Sequence, residues 1–272
     1  MNHPKALNDK ANILFQHDGH QCIQFCDLVT GEGIQANQFL IIDQGRAALI
    51  DPGGDLTFTP LNIELGKRVN VHDLEYIFAS HQDPDIIASL PRWMMHTRCQ
   101  VVTSRLWSRF LPHLASSFVT QQMAESLSQR ITALPDEGAA IPFGRHHILA
   151  LPAHFLHSVG NFQFYDPVSK ILFSGDMGAS LIETDAHKPV EDFDAHVPSM
   201  KGFHQRYMAS NKACKLWANM VSQLDVQMMV PQHGSPFVGK AMVNRFLDWI
   251  RDLPCGLDLM THKDFDAKRL LG

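Results

Sequence analysis

Four apolar runs of strand length in this chain each lead directly into a histidine or an aspartate. They are 75-EYIFAS-80 before 81-HQDPD-85, 149-LALP-152 before His154 and His157, 171-ILFSG-175 before Asp176, and 226-VQMMVP-231 before His233. Buried strands in a layered fold end on a common rim, and binding residues collect at such rims. One such residue alone is ordinary: an Asp after Ser-Gly caps a helix or forms a turn, and a His before Gly sits in a loop. Four together restrict the chain to folds whose strand ends meet.

The first of these sites is the most telling. His81, Asp83 and Asp85 stand at every second position, so an extended backbone puts all three heads on one side. Two carboxylates beside an imidazole repel one another unless a cation lies between them. The alternative is a solvated loop turning at Pro84. Histidine is abundant, with 16 residues against 3 Tyr and 4 Trp, and it is the commonest metal ligand.

The rest of the chain predicts sheets with helices beside them. The run 38-QFLIIDQGRAALIDPGG-54 reads as two strands around Gln44-Gly45. A helical stretch follows at 59–69, then a strand at 75–80, an amphipathic helix over 86–96, a strand at 99–104 and helix over 105–130. Strands return at 131–134, 146–152, 161–166 and 171–175. Helices at 200–223 and 238–252 flank a last strand at 226–231. This order predicts two packed sheets with helices outside, in one domain over 1–272.

Composition excludes several functions. The net charge is −5 and no basic block occurs, so nucleic acid is not an expected partner. No apolar run reaches membrane length, and the first residues carry no secretory h-region. Five cysteines, an odd number, are read as reduced thiols in a cytoplasmic protein. Cys22 and Cys26 are four apart and read as strand residues rather than as a metal pair.

Taken together, His-x-Asp-x-Asp, the His of Leu156-His157-Ser158, Ser174-Gly175-Asp176 and Pro231-Gln232-His233-Gly234 resemble the metallo-β-lactamase superfamily, over about residues 35–250. The resemblance implies an α+β, four-layer αββα sandwich. Zinc hydrolases of that superfamily carry His-x-His-x-Asp-His, where this chain has Asp83 and Ile86. The flavodiiron branch carries His-x-Glu-x-Asp and is closer. The segments 155–166 and 172–180 are closest to its stand-alone oxygen-binding diiron relatives.

By this resemblance His81, Asp83 and His157 would hold one metal, Asp85 and His233 a second, and Asp176 would bridge them. Isoleucine at 86 cannot ligate, so the second metal is one protein ligand short. Mixed N/O ligation suits two iron ions, with zinc or manganese as alternatives. No flavodoxin-like domain is seen, and so no FMN is expected. The implied ligand is dioxygen or nitric oxide, sensed or slowly reduced, with a signalling or electron-transfer protein as partner and a homodimer left open. The alternative function is a dinuclear metallohydrolase. His154 is a candidate for the missing ligand or for a supporting hydrogen bond. His204 and Tyr207 are candidate proton donors, or members of an ordinary packed helix.

Overall fold

The computed structural model describes residues 10–114, 128–182 and 185–270. The first sheet has seven strands in chain order: β1 (Ala11–His17), β2 (His20–Phe25), β3 (Gln38–Asp43), β4 (Arg46–Ile50), β5 (Leu74–Phe78), β6 (Gln100–Ser104) and β7 (Ile131–Leu134). The second has six: β8 (Ala139–Phe143), β9 (His146–Pro152), β10 (Phe162–Asp166), β11 (Ile171–Phe173), β12 (Met228–Val230) and β13 (Phe237–Val238), ordered β13-β12-β11-β10-β9-β8. Gln44 and Gly45 both have positive φ, 50° and 82°. That is the turn a tight β3–β4 hairpin requires.

The helices are α1 (Asp55–Gly66), α2 (Pro84–Ile87), α3 (Leu90–His96), α4 (Arg105–Ser108), α5 (Phe193–Tyr207), α6 (Asn211–Val221) and α7 (Lys240–Asp252). Three apolar clusters separate four layers. Phe39, Ile41, Ala48 and Ile50 meet Phe162, Phe164 and Phe173 between the sheets. Their neighbours along the strands, Leu40, Ala47 and Leu49, face outward onto Phe58, Leu61 and Trp93 of α1 and α3. On the other outer face Leu149, Leu151 and Leu172 meet Met200, Trp217 and Phe246 of α5, α6 and α7. Alternate side chains of one strand therefore serve two interfaces, as the period of a strand dictates. This is the four-layer αββα sandwich. Burial of each large side chain contributes about 1.5–3 kcal/mol.

The topology sets the address of the site. Strands β4, β5, β6 and β7 run parallel, and β11 runs parallel to β12. Parallel neighbours bring their C-terminal ends to one edge. The two sheets are tied near that edge, where the Asn37 amide donates to the Pro231 and Gly234 carbonyls at 2.9 and 3.0 Å.

Several elements differ from the expected ones. The helix over 86–96 is two helices: Pro91 removes the N–H that would bond back to Ile87, and Ser89 Oγ donates to the Pro52 and Gly53 carbonyls. The helix at 200–223 begins at Phe193 and breaks at 208–210. There Ala209 N–H donates to Phe155 O, and Ser210 bridges to Gly256. α1 starts at Asp55 rather than 59. β1, β2, β8 and β13 are not among the expected strands: polar residues interrupt β1 and β2, Pro142 interrupts β8, and β13 has only two residues. Of the helix expected over 105–130, α4 and a 3-10 turn at Leu111–Leu114 are seen, and 115–127 lie outside the described residues. Cys22 is in β2, and Cys26 lies one residue beyond its end. No helix among the described residues is long and apolar enough to cross a membrane.

Candidate metal centre

The six expected side chains converge. His81 follows β5, Asp83 and Asp85 flank the start of α2, His157 lies in the β9–β10 loop, Asp176 follows β11 and His233 follows β12. Asp176 stands between two groups. Its Oδ2 is 2.7 Å from His157 Nε2 and 3.6 Å from His81 Nε2, and its Oδ1 is 3.5 Å from His233 Nε2. Asp83 Oδ2 joins the first group, 3.2 Å from His157 Nε2 and 3.8 Å from His81 Nε2. Asp85 Oδ2 joins the second, 3.4 Å from His233 Nε2. The donor atoms of His81, Asp83, His157 and Asp176 all lie within 4.8 Å of one another. Ile86 is fully buried in the apolar cluster beneath α1 and α3.

Supporting contacts fix which ring nitrogen is presented. His233 Nδ1–H donates to the Gln35 carbonyl at 2.7 Å, leaving Nε2 for the cluster. Ser80 Oγ lies 3.0 Å from His81 Nδ1. Ser80 is held in turn by Asp51, whose Oδ1 accepts the Ser80 N–H at 2.8 Å. Gln232 donates to both Asp51 and Ser80 Oγ. This is the arrangement by which proteins orient imidazole ligands. Asp51, Ser80, Gln35 and Gln232 were not singled out in the sequence. Asp51 carried the available signal, because it too follows an apolar strand.

The electrostatics are those of a site built for positive charge. Burial opposes the Asp176 carboxylate, but His81, His157 and His233 outweigh it and hold its pKa at about 2. Burial likewise opposes the charge on His157, and Asp176 and Asp83 overcome it, raising its pKa to about 10. The His81 pKa is raised against burial by Asp176 and Asp83, and that of Asp83 is lowered against burial by His157 and His81. Asp51 behaves oppositely: burial pushes it up to about 6.

The other candidates lie elsewhere. His154 Nε2 is 2.8 Å from the Asp136 carbonyl, and His154 is not in the cluster. His204 is fully buried, with Nδ1–H donating to Met200 O and Nε2 accepting the Gly178 N–H at 3.0 Å. Burial pushes its pKa down to about 4, so it is a neutral brace for the turn carrying Asp176, not a proton donor. Tyr207 is half-exposed, with its ring 5.5 Å from His157.

A family model described as ODP family beta lactamase matches residues 34–234. The chain belongs to that family. It is 35% identical to a solved structure of a peroxy diiron species of the chemotaxis sensor ODP, with TM-score 0.80, covering 94% of this chain and 100% of that one. The apo state of chemotaxis sensor ODP from T. denticola is also 35% identical, with TM-score 0.81 and coverage of 94% and 98%. A flavo di-iron protein mutant from Thermotoga maritima shares the fold, at 19% identity and TM-score 0.70, over 89% of this chain and 60% of that one. An uncharacterised protein of Methanocaldococcus jannaschii is 23% identical over 220 residues, 80% of this chain and 53% of that protein. The chain thus spans about half the length of the curated relative it matches.

Proposed function

We propose that this protein holds two iron ions and binds dioxygen or nitric oxide, acting as a gas sensor or slow reductase. The observation that carries the reading is the division of Asp176, one carboxylate oxygen toward His81, His157 and Asp83 and the other toward His233 and Asp85. The residues fit such a pair of cations. His81 Nε2 and Asp176 Oδ1 are buried without a hydrogen-bond partner, and leaving such atoms unmet costs about 1–3 kcal/mol each. Cations would satisfy both.

In this reading His81, Asp83 and His157 hold the first iron, Asp85 and His233 the second, and Asp176 both. Ferrous ions would supply the reducing electrons and the open positions that a diatomic gas needs. The protein's own residues do the rest. Asp51, Ser80, Gln232 and the Gln35 carbonyl orient the imidazoles, and Tyr207 and Phe203, stacked at 4.7 Å, stand beside His157. Likeness to the chemotaxis sensor supports a signalling role, with a partner that distinguishes the gas-bound form from the free one. Zinc and manganese suit the same mixed N/O donors, and what favours iron is the likeness to the diiron ODP structure. A hydrolase would use imidazoles at 83 and 86, where this chain has a carboxylate and a buried isoleucine.

The test is addition of dioxygen to anaerobic, ferrous-loaded protein, following visible absorption and oxygen uptake. The reading predicts a new absorption band and saturable uptake, both absent from Asp176→Asn. No spectral change and no uptake, with metal-dependent cleavage of a phosphodiester or thioester, would put the hydrolase in its place.

A further inference from the structure

Behind the loop that carries His157 lies a cavity of about 700 Å³. It is lined on one side by α4 and the residue that caps it, through Arg105, Leu106 and Arg109, and on the other by His154, Phe155 and Val159. Its volume is that of a small-molecule site rather than of a flat protein-docking face. Arg105 opens α4 and Arg109 caps its C-terminal end, and both line the cavity. Both are exposed, and neither side chain meets a partner among the described residues. Elsewhere Arg46, Arg92, Arg145, Arg245 and Arg251 each meet an aspartate or glutamate. Asp136 also lines the cavity, a single carboxylate against two guanidinium groups.

Three apolar side chains share the lining with Ser108 and His154. Leu106, Phe155 and Val159 are 37%, 49% and 48% exposed, and exposed apolar side chains gathered around one concavity mark a binding surface. His154 adds a polar group. Its Nε2–H goes to the Asp136 carbonyl, which leaves Nδ1 as an acceptor, buried and without a partner. The walls are held in place: Trp107 Nε1–H donates to Val159 O at 2.7 Å, locking α4 to the loop. Inorganic anions would use only the arginines, and neutral apolar molecules only the opposite wall.

We propose that this cavity binds a small organic anion, its acidic group between Arg105 and Arg109 and its apolar body on Leu106, Phe155 and Val159. This site is separate from the metal cluster and does not rest on the metal being iron. The probe is 8-anilinonaphthalene-1-sulfonate, titrated by fluorescence into the full-length protein, with neutral N-phenyl-1-naphthylamine as its uncharged counterpart. The expected result is one saturable class of sites for the sulfonate. Its affinity should fall at least tenfold in R105Q/R109Q and in Phe155→Ser, and stay unchanged in Arg98→Gln, a surface control. The neutral probe should bind at least tenfold more weakly than the sulfonate. All substitutions are at exposed positions, and a circular dichroism melt verifies folding. Equal sulfonate affinity in R105Q/R109Q, equal affinity of the two probes, or an equal loss in Arg98→Gln would overturn the proposal.

Discussion

Two imidazoles of the cluster, His81 and His157, are held with a raised pKa by the carboxylates that would share the metal with them, and this has a measurable consequence. A metal takes the neutral ring. The carboxylates raise the His157 pKa to about 10, so near neutral pH it carries a proton that a metal must displace, and the raised pKa of His81 acts in the same direction. Metal binding should release protons into weakly buffered solution, and apparent affinity should rise with pH until His157 loses its proton. Affinity that stays flat from pH 6 to 9 would remove the two histidines from the ligand set. His81→Ala and Asp176→Ala should each abolish metal binding, read as metal content after desalting. Asp51→Asn touches no metal in this account. By loosening Ser80 and Gln232 it should weaken binding by about tenfold, seen by competition with a chelator.

The loops between elements hold the cluster to its geometry, and glycine sets the turn after His233. Gly234 has φ of 88°, and a Cβ there would lie 1.9 Å from Ser180 Oγ. Gly234→Ala should therefore destabilise the protein by about 1–3 kcal/mol, measured by chemical denaturation. A separate staple joins the sheets through β2 and β10. His20 Nε2 lies 2.8 Å from Asp166 Oδ2, and Nδ1 lies 3.4 Å from Asp43 Oδ1. The His20 pKa is raised by Asp166 and Asp43 against burial. Those of Asp166 and Asp43 are lowered against burial, chiefly by His20 for Asp166 and by the Arg145 N–H for Asp43. The histidine contribution is complete below its ordinary 6.5 and fades as pH rises through the higher folded value. The aspartate contributions are complete above their ordinary 3.8 and fade as pH falls through the lower folded values. Stability lost in His20→Gln, about 3 kcal/mol, should be greatest between 3.8 and 6.5. A difference from wild type that does not change with pH would contradict it.

At the scale of the molecule, the strand ends were legible because apolar runs followed by His or Asp are a local signal. All six cluster residues were read from that signal together with the family resemblance, and so was the four-layer plan. What escaped the sequence was non-local. His20, Asp43 and Asp166 are 23 to 146 residues apart, and nothing near any of them announces the others. The break at 208–210 answers to bonds with Phe155 and Gly256 rather than to a local breaker. His154 was near enough in sequence to His157 to suggest a ligand, yet the loop turns it to the Asp136 carbonyl. Because the cluster draws on β5, β11, β12 and the β9–β10 loop, cations there would join both sheets. Metal removal should lower the melting temperature, as mass action requires of any ligand bound only to the folded state. The most direct test of the central claim is the iron content of protein loaded anaerobically with excess ferrous ion and then desalted. The account predicts two irons per chain in wild type and loss of iron in Asp176→Ala, whose carboxylate serves both. A single iron in wild type, or two retained in Asp176→Ala, would contradict it.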